Sequence, residues 1–256
     1  MAAITKNPKK SSKTKLIGAE NQKGIPFSIV EAYKSLRVHL TSLMAKQNLK
    51  VIAISSPNAS EGKSTTSVNV AIMLSQLNKK VILIDTDARR ASVHQKLKIE
   101  NDIGCLDVLA KTAELKQVIK NYNPYLDVIT SGTAVSNSSE LFDSPDFDRM
   151  LSDLRNDYDY VIVDTPPINL VSDSLVVSQK CDGLLLIVRS TSTTYEAFNQ
   201  TKISVEHLNI NLLGVVLNGV GANSGRYYRY KKYYGYKGYN RYGGYGGYGR
   251  SYSRKY

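Results

Sequence analysis

With 256 residues, 42% of them hydrophobic, the chain can bury one large core or two small ones. Its formal net charge of +12 sits at the ends: residues 1–24 hold six lysines against Glu20, and residues 226–256 hold nine Lys/Arg and no acid, so the near-neutral body argues against a nucleic-acid groove. Cys105 and Cys181 are too few for a disulfide scaffold and read as small buried hydrophobes; with no apolar stretch of a signal peptide and no run of the ~18 apolar residues that span a bilayer, the chain is expected to be cytoplasmic.

Residues 1–24 lack hydrophobic periodicity and read as a flexible basic arm. From Pro26 to Ala45 apolar residues recur at helical spacing. Short apolar runs then alternate with longer helical segments. KVIAIS (50–55) reads as a strand, TTSVNVAIMLSQLN (65–78) as a helix, and KVILID (80–85) as a second strand. LDVIT (126–130), YDYVIVD (158–164), GLLLIV (183–188) and LLGVVLN (212–218) complete the set. Continuous rather than alternating apolar runs belong to strands covered on both faces. The expected fold is therefore α/β, a mainly parallel sheet flanked by helices over residues 25–222, followed by a Tyr/Gly/Arg-rich tail over 223–256.

Three motifs carry chemistry. Between the first strand and helix lies SSPNASEGKSTT (55–66). It reads as a phosphate-binding loop in which Ser60, Glu61, Gly62, Lys63, Ser64 and Thr65 surround the phosphates of a nucleotide. Lys63 would reach the β- and γ-phosphates, and the Ser64 hydroxyl would ligate Mg²⁺. The loop departs from the usual spacing at Pro57, where the motif has its first glycine. LIDTDARR (83–90) sets Asp85 and Asp87 at the end of the second strand, where turn-forming and helix-capping roles compete with catalysis. YVIVDTPP (160–167) delivers Asp164 from a buried strand, the arrangement in which an acid meets the metal or its waters. His39, His94 and His207 show no metal-ligand spacing.

SSPNASEGKST, LIDTDAR and VIVDTPP together resemble the Walker A, A′ and B motifs of the bacterial tyrosine autokinases of capsule and exopolysaccharide operons. SELFDSPDFDRML (139–151), GVVLN (214–218) and the tyrosine-rich end are also similar to that family, although Ser138 stands where it usually has proline. The resemblance implies ATP and Mg²⁺ as cofactors, with Asp85 as base and Asp87 and Asp164 holding the metal through waters. The residues alone leave Asp85 and Asp87 interchangeable, so Ser64, Asp85, Asp87 and Asp164 all stand as candidates for the metal. Asn218, at a strand end, is a candidate for contacting adenine. EAYKSLR (31–37) is similar to the family's assembly helix, with Glu31, Lys34 and Arg37 at the motif positions and Lys34 replacing an arginine. A homo-oligomeric ring is implied, and equally a solvated helix face fits these three residues. The resemblance further implies a transmembrane polysaccharide co-polymerase as activator, recruitment by it to the inner face of the membrane, and a tyrosine phosphatase.

Twelve of the eighteen tyrosines fall in the tail: Tyr227, Tyr228, Tyr230, Tyr233, Tyr234, Tyr236, Tyr239, Tyr242, Tyr245, Tyr248, Tyr252 and Tyr256. Beside a kinase-like site they read as phosphoacceptors. A flexible coil of this length spans roughly 30 Å on average and ~100 Å at most, so reach alone leaves cis and trans transfer open; the resemblance implies trans. Each phosphate adds about −1.5 to −2, so about five or six would cancel the tail's charge and loosen contacts that depend on it. Tyr33, Tyr122, Tyr125, Tyr158, Tyr160 and Tyr195 read as packing residues. Two rival readings remain. A partitioning-type ATPase shares the strand and loop order, but its signature lysine is replaced here by Asn58. A nucleic-acid binder could use the tail as a cationic stacking platform, which leaves the three motifs unexplained.

Overall fold

The computed structural model describes Leu16, residues 25–135 and residues 137–220. The rest of the basic arm and the tyrosine tail lie outside the described residues. Seven strands form one sheet: β1 Val51–Ser55, β2 Val81–Asp85, β3 Ile119–Asn123, β4 Leu126–Ile129, β5 Tyr160–Asp164, β6 Gly183–Arg189 and β7 Leu212–Asn218. Their order is β3-β4-β2-β5-β1-β6-β7, parallel throughout except for β3 against β4. The six expected strands are present within a residue or two of their predicted ends.

Alternate residues of the central strands feed two separate cores. Ile52, Ile54 and Leu83 face α1 (Phe27–Gln47), α2 (Lys63–Ser75) and α3 (Val93–Leu97). Val51, Ile82, Ile84 and Val163 face α4 (Cys105–Leu109), α5 (Leu115–Val118), α6 (Ser138–Asp143), α7 (Pro145–Asp157) and α8 (Asp173–Gln179). Ala53, Leu184 and Leu186 meet Val205 of α9 (Tyr195–His207) on that second side. Burial on both faces explains why the strands lack polar alternation. Leu16, inside the arm expected to be flexible, packs half-buried against the first core. No helix of the described residues is long and apolar enough to cross a membrane.

Local chemistry sets the helix ends. α7 begins with Pro145 at its first turn, carries Asp146 and Asp148 there and Arg155 in its last turn, all favourable with the helix dipole. Its buried residues Phe147, Met150, Leu151 and Leu154 recur at helical spacing. Ser138 has a use that proline could not serve: its hydroxyl donates to Asp173 at 2.6 Å, and Ser139 donates to the same carboxylate, tying α6 to the start of α8.

Several expectations are corrected. β3 was not foreseen, because IKNYN is a half-buried edge strand with two asparagines and no apolar run, joined to β4 through the turn at Pro124 and Tyr125. β7 was expected to be covered on both faces, yet it is the opposite edge and leaves Val215 and Leu217 exposed. Cys105 is buried as expected, whereas Cys181 is half-buried and donates its thiol to the Val177 carbonyl. Among the six upstream tyrosines, Tyr125 and Tyr195 are exposed rather than packed.

Candidate active site

The strand order brings the three motifs together. β1, which leads into the phosphate loop, lies beside β5, and β5 lies beside β2. Asp85 and Asp164 are register partners at the carboxyl ends of β2 and β5. The loop from Ser56 to Gly62 delivers Lys63 as the first residue of α2, a helix buried along nearly its whole length. Gly62 has φ of +101°, which residues with a side chain rarely adopt, and a Cβ there would come within 2.2 Å of the Asn218 side-chain amide and displace it.

Lys63 is the electrostatic centre. Its ammonium lies 2.8 Å from Asp87 Oδ2, 3.7 Å from Asp164 Oδ2 and 3.2 Å from Ser64 Oγ. Burial pulls its pKa down, but Asp164, Asp87 and Asp85 outweigh that and hold it above the usual lysine value. Asp85 is wholly buried, and that burial, with the Asp164 charge, pushes its carboxyl up to about 7 against the opposing backbone N–H bonds and Lys63. Both its oxygens are engaged: Oδ1 accepts from the Asp87 N–H, and Oδ2 from those of Ser92 and Val93 at the start of α3, each at 3.1 Å. Asp85 thus fills the turn role through the Asp87 N–H, whereas the N-cap of α3 is Ser92. Asp87 Oδ1 accepts from the Arg90 N–H at 2.9 Å while its other oxygen pairs with Lys63. Asp164 is also raised by burial, against Lys63 and the Ser64 and Ser67 hydroxyls. Its Oδ1 accepts from Ser67 at 2.8 Å, whereas its buried Oδ2 accepts no hydrogen bond.

Ser60, Glu61, Gly62, Lys63, Ser64, Thr65 and Asn218 all fall around one loop. Ser60 adopts a left-handed φ of +65°, rare for a residue with a side chain. Asn218 Nδ2 donates to the Glu61 carbonyl at 2.9 Å, bringing the far edge of the sheet onto the loop. The three residues proposed for assembly make different contacts within the chain. Glu31 and Lys34 pair with each other at 2.8 Å on an exposed face, while Arg37 donates to the Met73 carbonyl at 3.3 Å, in the last turn of α2. Sequence reasoning missed Ser67, Arg189 and Thr193. Ser67 follows the loop by one helical turn; Arg189 ends a buried strand at the sheet's carboxyl edge, a positional signal shared with Asp85 and Asp164.

Residues 49–206 match the family model described as an AAA domain. Over 190 residues the chain is 35% identical to the tyrosine-protein kinase YwqD of Bacillus subtilis, covering 74% of this chain and 80% of that one. It belongs to the bacterial tyrosine-protein kinases. This tyrosine kinase is also 33% identical to the putative tyrosine-protein kinase EpsB of Ralstonia solanacearum over 77% of its own length, spanning 26% of that longer protein. Among solved structures, the kinase domain of the Escherichia coli tyrosine kinase ETK superposes with a TM-score of 0.72 at 33% identity, covering 76% of this chain and 77% of that one. At 17% identity and a TM-score of 0.58, a cobyrinic acid a,c-diamide synthase of Mycobacterium smegmatis, solved with an ATP analogue and magnesium, shows that the fold is shared more widely.

The kinase's own residues fit a hydrated magnesium ion beside nucleotide phosphates. Asp164 Oδ2, which accepts no hydrogen bond and has only the Lys63 ammonium at 3.7 Å, and the Ser64 hydroxyl are oxygen donors of the kind a hard cation prefers. Among the described residues no cluster of three or more His, Cys, Asp or Glu side chains is arranged to bind a metal unaided.

Proposed function

We propose that this tyrosine kinase transfers the γ-phosphoryl group of ATP to the tyrosines of its own C-terminal segment, from one protomer to another, and so regulates capsule or exopolysaccharide synthesis and export. The observation that carries the proposal is the convergence of Lys63, Asp85, Asp87 and Asp164 beside a phosphate loop in a member of the tyrosine-protein kinases. When bound, Mg-ATP supplies the electrophilic phosphorus and the metal charge that offsets its oxygens.

Each chain residue then has a task. The loop amides and Lys63 would hold the phosphates, Ser64 would ligate the metal, and Asp87 and Asp164 would hold it through waters. A tyrosine hydroxyl, of pKa about 10, needs a carboxylate to take its proton. Asp85 is assigned that role, as the likeness to the tyrosine kinases implies, at the carboxyl end of β2 beside Asp164. The proton would go to Oδ1, which carries a single N–H bond. Asn218, whose side chain also donates to the Glu61 carbonyl, is assigned to contact adenine. A membrane-bound activator, ring assembly while unphosphorylated, and a phosphatase that resets the tail complete the proposal.

The test is transfer of labelled γ-phosphate from Mg-ATP to the full-length protein, with and without the activator's cytoplasmic peptide. Label should depend on Lys63 and disappear in a chain ending at Gly225. ATP hydrolysis with no label on tyrosine, even with the activator present, would return the protein to the partitioning-type ATPases.

A further inference from the structure

Resting on that reading, we propose that Arg189, the last residue of β6, and Thr193, in the turn leading to α9, are positioning residues for the ATP phosphates that act through Ser60 and Glu61. The phosphate loop of this chain is poor in glycine. Between Ser55 and Ser64 only Gly62 is glycine, Pro57 replaces the motif's first one, and Ser60 holds a left-handed conformation with its side chain in place. Such a backbone persists only where its surroundings over-determine it. Bonds within the loop, from Asn58 to Glu61 and from Ser56 to the Asn58 carbonyl, supply part of that restraint, and residues more than a hundred positions away supply the rest.

Glu61 is the hub. Its buried carboxylate accepts from the Asn58 N–H at 3.0 Å, from Asn58 Nδ2 at 3.3 Å and from the Thr193 hydroxyl at 2.6 Å. Thr193 Oγ1 is itself fixed, because it accepts from the Arg189 N–H at 2.7 Å and so must turn its proton toward Glu61. The Arg189 guanidinium reaches the other side of the strained residue and donates to the Ser60 carbonyl at 3.2 Å. The turn is anchored to β7 where the Ser190 N–H donates to the Asn218 carbonyl at 2.9 Å. The loop amides that meet phosphate are therefore aimed by a brace from the β6–α9 turn. Preorganised donors bind an anion without the cost of ordering themselves.

The experiment measures ATP affinity by calorimetry and kcat and KM for tail phosphorylation on the full-length protein, with thermal melting as a control. Thr193→Val, close in shape but without the hydroxyl, should weaken ATP binding and raise KM roughly tenfold, the scale of one hydrogen bond to a charged group. Its kcat should change less than about twofold, since the bond is made equally in ground and transition states. Thr193→Ser should behave as wild type, and Arg189→Met, at an exposed position where folding is not at issue, should move KM in the same direction. Unchanged ATP affinity in both Thr193→Val and Arg189→Met overturns the proposal. So does a Thr193→Ser variant that loses as much as Thr193→Val, because the hydroxyl would then be irrelevant. Wild-type protein that binds no ATP would overturn the kinase reading itself, a separate result from variants that bind as well as wild type.

Discussion

Replacing Lys63 by methionine should do more than silence the enzyme: it should destabilise the fold in a pH-dependent way. The ammonium lies 2.8 Å from Asp87 and 3.7 Å from Asp164, both buried. At an effective dielectric constant of about 20, these two contacts amount to roughly 10 kcal/mol of gross attraction. Returning a buried ammonium to water recovers several kcal/mol of that. The net loss is about 3–5 kcal/mol, the usual cost of truncating one member of a buried ion pair and leaving the other charged. The sign with pH follows from the acids. Asp85 and Asp164 already have carboxyls raised above their unfolded values, Asp85 to about 7. A raised group contributes stability fully present below its unfolded pKa and lost as pH rises through the folded one. Without Lys63 the folded pKa values rise further, so the deficit should be largest near about pH 9 and shrink toward about pH 5, where the acids take up protons. Urea unfolding of wild type and Lys63→Met across that range measures it. Equal midpoints and equal pH slopes would refute the electrostatic reasoning. The same result bears on interpretation, since activity lost in this variant has to be read beside its stability.

Three other perturbations test other parts of the fold. Gly62→Ala should weaken ATP binding by more than tenfold, because the new Cβ meets the Asn218 amide at 2.2 Å on a backbone that L-residues rarely adopt; unaltered affinity would contradict it. Asp182 accepts from the Lys50 and Val51 N–H groups and from both terminal nitrogens of Arg155, so Asp182→Ala should cost about 2–3 kcal/mol in urea unfolding. Although burial opposes them, these partners hold its carboxyl below the usual range, so its contribution is present at neutral pH and lost as pH falls through that depressed value; a difference that grows in acid would contradict this. Tyr158→Phe should lose about 1 kcal/mol of stability, since the hydroxyl donates to Asp127 Oδ2 at 2.7 Å while Asn121 still serves Oδ1, and no change in melting would show that bond to be idle.

The sequence by itself determined the layered architecture and the chemistry of the centre. Apolar runs such as VILID and VIVD can be satisfied only by strands covered on both faces, and each ends on an acid that such a strand must deliver at the sheet's carboxyl edge. Gly62, Lys63 and Ser64 between a strand and a helix identify the phosphate loop because few other local sequences suit that turn. Only the tertiary structure decided how those groups are used. Asp85 and Asp87 are alike in the sequence, and they differ because Asp85 accepts from the Ser92 and Val93 N–H groups while Asp87 pairs with Lys63. That Arg37 reaches the Met73 carbonyl at the end of α2 follows from how α1 packs, and nothing in EAYKSLR announces it. β3 is a strand because β4 offers it an edge, not because its own residues demand one. The brace from Thr193, Arg189 and Asn218 joins residues 129 to 157 positions apart in the chain. Hydrogen bonds of that kind leave no periodicity behind, since each needs one polar side chain in the right place once the sheet has closed around it.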